Sequence, residues 1–485
     1  MNNKKILSNF IWRLFERCGA QGVTFIVSIV LARLLDPEVY GTLALVTIFI
    51  TIMQVFVDSG FGTALIQKKD ADDLDFSTVF FFNIIMCVTL YLIMFFTAPL
   101  IANFYGIPEL TPVVRVMSLS LIVSGTKNVQ QAYVSRNMIF KRFFFATIGS
   151  TIGAAIVGIF MAYKGFGVWA LVGQSLFSTV ISTAILWITV KWRPKLMFSF
   201  QRLKGLFSYG WKLLASALLE TLYNDMRQLV IGKMYSSSDL AYYNRGKQLP
   251  NLVITNINTS IDSILLPAMS TAQDDREHIK AMTRRSIKVS TYTMFPFMVG
   301  LAVCAEPLIS LLLTEKWLFC VPYLRIFCFT YAIYPMHTAN LNAIKAMGRS
   351  DLFLKLEIIK KVIGFASILL TMWHSVMAMA LSLVVTAIFN SIINAFPNKK
   401  LLGYSYFEQL KDIVPSLIPA AIMGVAVYCV NYLELIHILT LSIQIVIGVT
   451  LYIGCSIIFK NETFKYILKM IKGAFNNRKK HKERL

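Results

Sequence analysis

Charged side chains interrupt several long apolar stretches of this sequence, and their chemistry is the most informative feature of the chain. In the first stretch, Arg13, Glu16 and Arg17 are spaced at i, i+3 and i+4, which places them on one helix face. In the second stretch, Asp58 lies about two-thirds of the way along. Each charge at the centre of a membrane helix costs about 2.5–3.5 kcal/mol, so these residues are expected to face a partner, a cavity or an interface.

Further charges follow the same pattern. The fourth apolar stretch contains Arg115 and Lys127. The seventh and eighth contain a larger set of charged and amide residues, in which three members of the seventh are spaced at i, i+4 and i+7 on one face. The set comprises Glu220, Asn224, Asp225, Arg227, Arg245, Lys247, Asn256, Asn258 and Asp262.

Several of these charges also have a structural interpretation. Long basic side chains near the ends of a membrane helix can reach the lipid headgroups, which applies to Arg13 and Arg17 on the cytoplasmic side and to Arg115, Arg245 and Lys247 on the outer side. Glu220 and Arg227 could form an ion pair between helix turns, and Asp58 could cap a helix end at Ser59-Gly-Phe-Gly62. If the cations instead line a cavity, they suit an anionic substrate, because Lys and Arg bind phosphate oxygens well.

The elements that must hold these charges are membrane helices. Of 485 residues, 56% are hydrophobic and only 15% are charged, whereas soluble domains have about a quarter. The net charge of +22 comes mainly from Lys and Arg in short loops, a pattern typical of cytoplasmic loops rather than of nucleic-acid binding. The seven cysteines form no CxxC pair or metal spacing, so the sequence predicts no disulfide framework, no metal and no cofactor.

We predict an all-α polytopic membrane protein with about fourteen transmembrane helices. Alternation of basic and acidic loops indicates an even number of spans with both termini in the cytoplasm, and the N-terminal stretch is interpreted as a retained span rather than a signal peptide. The predicted spans are Asn9–Leu34, Tyr40–Gln67, Thr78–Phe104, Val113–Val134, Phe143–Tyr163, Val168–Val190, Leu206–Met234, Leu240–Met269, Ser286–Leu313, Tyr323–Ile344, Leu354–Thr371, Val376–Ala395, Ile413–Tyr432 and Ile436–Phe459.

The chain repeats itself weakly. The segment Ala32–Gly41 joins the first two spans, and Gly232–Ala241 occupies the same place between the seventh and eighth. A basic connector from Lys191 to Lys204 separates six spans on each side. We therefore predict lobes at residues 1–200 and 201–400, followed by two further spans and a basic tail at residues 401–485, a repeat design common in transporters.

Enzyme signatures are weak. The sequence has no GxxxxGK[ST] loop. Asp70-Ala-Asp-Asp73 could be a metal–nucleotide-sugar motif of a glycosyltransferase, although a solvated loop beside Lys68 and Lys69 is favoured. Because no connecting loop is long enough for a catalytic domain, the sequence favours a transporter over an enzyme.

Longer motifs resemble a known family. Leu31-Ala-Arg-Leu-Leu-Asp-Pro-Glu-Val-Tyr-Gly41 and Asp58-Ser-Gly-Phe-Gly-Thr-Ala-Leu-Ile-Gln67 are similar to the opening spans of bacterial polysaccharide exporters. Tyr243-Asn-Arg-Gly-Lys-Gln-Leu-Pro250 and Glu306-Pro-Leu-Ile-Ser-Leu-Leu-Leu-Thr-Glu-Lys-Trp317 extend the resemblance. It points to the branch of colanic-acid and teichuronic-acid exporters within the multidrug/oligosaccharidyl-lipid/polysaccharide flippase superfamily.

This resemblance implies two six-helix bundles in a V-shaped, pseudo-symmetric arrangement, with two additional C-terminal helices. It also implies a flippase that moves an undecaprenyl-pyrophosphate-linked oligosaccharide repeat across the bacterial cytoplasmic membrane by alternating access, for export of O-antigen, exopolysaccharide or capsule. Either protons or sodium ions could be the coupling ion. A polysaccharide polymerase and a chain-length regulator are the protein partners that the resemblance suggests.

Three alternatives stay open. An ion-coupled multidrug extruder of the same fold should favour acidic cavity residues, and Arg13, Arg17 and Lys127 count against it. A membrane glycosyltransferase or polymerase should have a long external loop with catalytic residues. An assembly scaffold has no need for the intramembrane charges, which are costly.

Overall fold

The computed structural model is almost entirely helical in the residues that it describes, which are 3–58, 61–68, 70–139, 141–273, 275–470 and 472. Within these ranges, the side chains of residues 3–18, 63, 67, 208, 209 and 264 are not described. The first nine helices are α1 (Asn3–Leu34), α2 (Pro37–Asp58), α3 (Phe61–Gln67), α4 (Asp73–Tyr105), α5 (Leu110–Arg136), α6 (Lys141–Tyr163), α7 (Val168–Thr189), α8 (Phe200–Met234) and α9 (Ser237–Ser270).

The remaining helices include two short 3₁₀ segments, η1 and η2. They are α10 (Arg276–Val303), α11 (Ala305–Leu313), η1 (Glu315–Cys320), α12 (Val321–Ala332), α13 (Tyr334–Ala346), α14 (Ser350–Thr371), α15 (Val376–Leu402), α16 (Tyr406–Cys429), η2 (Val430–Leu433) and α17 (His437–Ile458).

Ten helical segments of the described chain are long and apolar enough to cross a membrane. They make the protein a multi-pass membrane protein, as predicted. Four other long helices coincide with predicted spans, namely α1, α5, α8 and α14. Several charges interrupt α5, α8 and α14. The described apolar part of α1 is the shorter segment Gly19–Leu34. The count of fourteen spans stays a prediction.

Two spans predicted as continuous are broken in the structure. The predicted span Ser286–Leu313 is divided because α10 ends at Val303 and α11 begins at Ala305. The predicted span Tyr323–Ile344 is divided into α12 and α13, with Pro335 in the first turn of α13. Proline is tolerated in a first turn because its missing N–H would have no intrahelical acceptor there.

The chain forms two compact units, Met1–Ala241 and Tyr242–Leu485. In the first unit α8 packs against α2, α3 and α4, and α6 packs between α1 and α7. In the second unit α10 packs against α12, α13 and α16. The predicted division into lobes at residues 1–200 and 201–400 with a final segment 401–485 stays a prediction.

The two repeated segments meet within the first unit. A Cβ atom added to Gly41 would lie 1.8 Å from the backbone carbonyl oxygen of Ser237, and one added to Gly232 would lie 2.2 Å from Leu45. Both glycines are therefore required by close approach of α2 to the end of α8 and the start of α9.

The basic connector between α7 and α8 is docked on the first turns of α4. The indole N–H of Trp192 donates to Asp73 at 3.2 Å, and Nζ of Lys195 donates to the same carboxylate at 2.6 Å. The backbone N–H groups of Lys195 and Ser199 donate to the hydroxyls of Ser77 and Thr78, respectively, each at 3.1 Å. The connector is thus part of the packed first unit.

A fully buried carboxylate, Asp75, anchors this region. It forms a capping box with Asp72 at the start of α4, and it pairs with Lys68 at 2.6 Å and with Arg202 at 3.5 Å. The backbone N–H of Asp75 lowers the pKa of Asp72 by stabilising its charged form. The acidic cluster Asp70-Ala-Asp-Asp73 therefore contributes a helix cap and ion pairs.

The second unit has a comparable anchor at the start of α16. Asp412 is 5% exposed and accepts hydrogen bonds from Nε and Nη2 of Arg284 at 2.6 and 2.8 Å and from the Tyr404 hydroxyl at 2.8 Å. Lys288 lies 3.3 Å away. Arg284 was predicted in a loop; the structure places it inside α10, where its pairing with Asp412 holds α10 against α16.

We predict that Asp75→Asn lowers the melting temperature of the purified protein in detergent, at a cost of about 1–3 kcal/mol, because Lys68 loses its buried counter-charge. Asp70→Asn, the same change at an exposed position of the same loop, should leave the melting temperature unchanged. Equal melting temperatures for the two variants would show that the buried pair does not stabilise the fold.

Candidate functional site

Asp58 lies at the C-terminal end of α2 with an exposed side chain held by neutral amides. Nε2 of Gln54 donates to its carboxylate at 3.2 Å, one helix turn earlier. Nδ2 of Asn128 on α5 donates to the carbonyl oxygen of Val57 at 2.6 Å and lies 3.5 Å from the Asp58 carboxylate. The end of α2 is therefore fixed to the middle of α5 by one asparagine.

Lys127 is the neighbour of Asn128, and its charge interacts electrostatically with that of Asp58. Its Nζ donates to the Ser182 hydroxyl of α7 at 3.5 Å. Lys127 forms no direct salt bridge, because no carboxylate oxygen of the described side chains lies within 4.0 Å of its Nζ. Since an ammonium group has three N–H donors, this half-buried cation has donors to spare for an anion. Gln54, Asp58, Lys127, Asn128 and Ser182 are called the α2/α5/α7 cluster below.

Arg115 lies near the start of α5 and contacts α4. Its Nε donates to the carbonyl oxygen of Phe95 at 3.2 Å, and its guanidinium carbon lies 4.2 Å from the centroid of the Phe95 ring. A backbone carbonyl and an aromatic face are both favourable neighbours for a cation inside a membrane.

The charged side chains of α8 differ in their exposure to solvent. Glu220 is exposed and accepts a hydrogen bond from Nδ2 of Asn224 at 3.1 Å. Asp225 accepts one from Nε2 of Gln228 at 2.9 Å. Arg227 is buried, with 6% of its surface exposed.

In the second unit, Arg245 is buried against an aromatic ring. Its guanidinium carbon lies 4.8 Å from the centroid of the Trp317 ring, and Nη1 donates to Gln248 at 2.6 Å. Lys247 is partly buried on the same helix. Asp262 is exposed and accepts a hydrogen bond from Nδ2 of Asn342 on α13 at 2.7 Å.

Arg13, Glu16 and Arg17 lie on α1, but their side chains are outside the described residues. Of the other predicted site residues, the structure brings Asp58 and Lys127 together. Arg115 contacts α4, and Arg245 and Asp262 have separate partners within the second unit.

Sequence reasoning missed the neutral members of these sites. Gln54 precedes Asp58 by four residues and Asn128 follows Lys127, so their proximity was visible in the spacing. A second missed group lies in the second unit, where Nδ2 of Asn340 donates to Gln409 at 2.8 Å and Nδ2 of Asn398 donates to Asn340 at 2.7 Å. Buried His337 lies 3.1 Å from Asn394. In the part of the chain that the structure describes, no three His, Cys, Asp or Glu side chains are grouped as metal ligands.

Comparison with known proteins identifies the family. The profile of a family described as "Polysaccharide biosynthesis protein" matches residues 30–322. The chain belongs to this family. The match extends from the end of α1 to the start of α12 and includes the α2/α5/α7 cluster.

Curated relatives are similar along most of their length. The succinoglycan biosynthesis transport protein ExoT of Rhizobium meliloti (strain 1021) is 25% identical over 86% of this chain and 83% of its own. The lipopolysaccharide biosynthesis protein WzxC of Escherichia coli (strain K12) is 22% identical over 87% and 88%, respectively. The teichuronic acid biosynthesis protein TuaB of Bacillus subtilis (strain 168) is 27% identical over 62% of each chain.

Solved structures show the same fold. The lipid II flippase MurJ in an inward closed conformation aligns with a TM-score of 0.75 over 94% of this chain and 99% of its own, at 16% identity. An inward-facing multidrug resistance MATE family transporter of the MOP superfamily aligns with a TM-score of 0.63 over 79% and 94%, at 15% identity. These two alignments show that the fold is shared.

We predict that the α2/α5/α7 cluster is in contact with water inside the membrane. In a cysteine-free background, Asp58→Cys should react with a membrane-impermeant, charged thiol reagent applied to open membranes. Ile156→Cys is the matched control: Ile156 is 66% exposed but lies on an apolar face of α6, where lipid excludes a charged reagent. Protection of Asp58→Cys at the level of the control would contradict an aqueous site.

Proposed function

We propose that this protein is a flippase that moves an undecaprenyl-pyrophosphate-linked oligosaccharide from the cytoplasmic to the outer leaflet, for export of a surface polysaccharide. The observation that carries the proposal is Lys127, an intramembrane cation with spare N–H donors in a protein of the polysaccharide biosynthesis family. The names of the relatives, among them a transport protein and a lipid II flippase, support the same activity.

The chemical problem for such a protein is the pyrophosphate. A phosphate group loses its hydration when it enters a medium of low dielectric constant, and this loss is prohibitive unless fixed donors replace the water. Ammonium and guanidinium groups replace it best, because charge-assisted hydrogen bonds to phosphate are short and strong. Among the described residues, Lys127 donates to Ser182 and has no salt bridge, so its ammonium can turn toward an arriving phosphate.

The predicted cavity charges then divide into two roles. We assign anion binding to Lys127 and, from their positions in the sequence, to Arg17 and Arg13. Arg115 and Arg245, which already contact aromatic rings and hydrogen-bond acceptors, are assigned to positioning their helices. We propose that six other charged residues also line the cavity. They are Glu16, Asp58, Glu220, Arg227, Lys247 and Asp262.

We further propose alternating access of the two predicted lobes, driven by a proton or sodium gradient or by the membrane potential. A potential of 100 mV supplies about 2.3 kcal/mol for each elementary charge moved across the membrane. The protein would lie in the bacterial cytoplasmic membrane with both termini in the cytoplasm. A polymerase and a chain-length regulator would act on the product.

Transport is favoured over the alternatives by the character of the site. A multidrug extruder that takes cationic drugs needs an excess of carboxylates, whereas the α2/α5/α7 cluster contains one carboxylate and one ammonium. A glycosyltransferase or polymerase needs catalytic groups in an accessible domain, and the described chain is formed of membrane helices and short connections.

We predict that Lys127→Met, reconstituted in vesicles with undecaprenyl-pyrophosphate-linked oligosaccharide, slows leaflet exchange about 10- to 100-fold, the loss expected for one charge-assisted hydrogen bond. Lys127→Arg should retain most of the activity, because the cationic donors remain. Lys164→Met is the control, since this exposed lysine lies beside Phe160 outside the cluster.

The measurement compares initial rates at equal amounts of correctly folded protein, judged by melting temperature. Wild-type protein that gives no exchange above protein-free vesicles, with a potential and ion gradients imposed, would refute the flippase activity itself. Normal exchange by Lys127→Met would leave the flippase activity intact but refute the anion-binding role of Lys127.

A further inference from the structure

The middle of α9 is unusually polar for a membrane helix. In Thr255–Ser263, seven of nine residues are polar, and the two exceptions are Ile257 and Ile261. The helix as a whole is nevertheless long and apolar enough to cross a membrane. Lipid surrounding this segment on all sides would be in contact with hydroxyl, amide and carboxylate groups that it cannot solvate.

These polar side chains lie on one exposed face. Thr255, Thr259 and Ser263 recur at i, i+4 and i+8, and they are all exposed, as are the adjacent Asn256 and Ser260. The exposed face of α6, by contrast, is apolar and presents Ile152, Ile156 and Phe160. The five polar residues are called the α9 hydroxyl face below, and their character indicates contact with water rather than with lipid.

Three of the four hydroxyls of this face donate to backbone carbonyls of their own helix, which leaves their lone pairs available. The hydroxyls of Thr259 and Ser260 donate to the carbonyl oxygens of Thr255 and Asn256, each at 2.8 Å. The Ser263 hydroxyl donates to the carbonyl oxygen of Ser260 at 2.9 Å. Nδ2 of Asn256 likewise donates to the carbonyl oxygen of Leu252 at 2.8 Å.

The remaining lone pairs of these hydroxyl and amide oxygens define the chemistry of a ligand. Hydroxyl and amide oxygens each keep acceptor capacity after their hydrogens are used. A phosphate, which is itself an anionic acceptor, finds no cation among these five residues. Asp262, beside the face, is the one carboxylate in the run, and Asn342 already donates to it at 2.7 Å. A neutral, donor-rich ligand fits best.

We propose that the α9 hydroxyl face binds the oligosaccharide part of the transported lipid, by accepting hydrogen bonds from sugar hydroxyls. The inference rests on the proposed flippase function and assigns it a second subsite, chemically separate from the cationic cluster for pyrophosphate. Neutral acceptors one helix turn apart recognise hydroxyl groups in general, so this subsite favours longer glycans over shorter ones without requiring one particular sugar.

The test uses two synthetic lipids that share undecaprenyl pyrophosphate and differ in the glycan, one carrying a single N-acetylglucosamine and the other a neutral tetrasaccharide. The variant Thr255→Val/Thr259→Val/Ser263→Ala removes three oxygens and nearly preserves side-chain shape. The matched control is Thr89→Val/Ser442→Ala, because both hydroxyls are exposed and bonded to their own helices at 2.9 and 2.8 Å, outside the α9 face.

The triple variant should move the tetrasaccharide lipid about five- to tenfold more slowly than the wild type, while its rate for the monosaccharide lipid stays within about twofold. The control variant should match the wild type with both lipids. An equal loss for the two lipids would indicate a structural role for the hydroxyls and overturn the proposal, as would unchanged rates for both. Failure of wild-type protein to move either lipid would instead refute the flippase function on which the subsite depends.

Discussion

The constraint on which this structure depends is the inability of hydrocarbon to solvate polar groups. Each carboxylate, ammonium or amide within a membrane helix needs a protein partner or water. Asp75 and Asp412 show the first solution, because both are nearly inaccessible and both are surrounded by cations and helix-capping or hydroxyl donors. Asp75 holds the start of α4 to Lys68 and to Arg202 of α8, and Asp412 holds α16 to α10. The constraint that makes these buried carboxylates costly therefore also makes them effective anchors.

The second solution is contact with water, which we expect for functional groups and not for structural ones. Arg115 and Arg245 have aromatic rings and oxygen acceptors close by, and their helices pack tightly around them. Among the described residues, Lys127 has one long hydrogen bond to a neutral hydroxyl. On the α9 hydroxyl face, Thr259, Ser260 and Ser263 donate within their own helix and keep their acceptor lone pairs. A cation with free donors and a neutral face with free acceptors are complementary to the two chemically different parts of a lipid-linked oligosaccharide.

Hydropathy predicted the helical membrane fold, because apolar length is a local property that the sequence states directly. The breaks within helices were harder to predict from the sequence. The interruption after Val303 lies inside one predicted span, and the one before Tyr334 appears locally only as Pro335. Arg284 was predicted in a loop since its charge resembles that of a cytoplasmic connection, yet its partner Asp412 lies 128 residues away and holds it in α10. Likewise the α7–α8 connector was predicted as a loop from its basic residues, and its docking depends on Asp73, Ser77 and Thr78 far earlier in the chain.

The candidate site could likewise be predicted only in part from the sequence. Charges in apolar stretches identified Asp58 and Lys127 individually, whereas their proximity through Asn128 links positions about 70 residues apart and required the fold. We propose that Lys127 binds the pyrophosphate of the transported lipid. The most direct measurement is a cryo-electron microscopy structure with undecaprenyl-pyrophosphate-linked oligosaccharide bound. We expect phosphate density within about 3 Å of Nζ of Lys127, at hydrogen-bonding distance. Phosphate density elsewhere, with Lys127 still directed at Ser182, would contradict this role of Lys127.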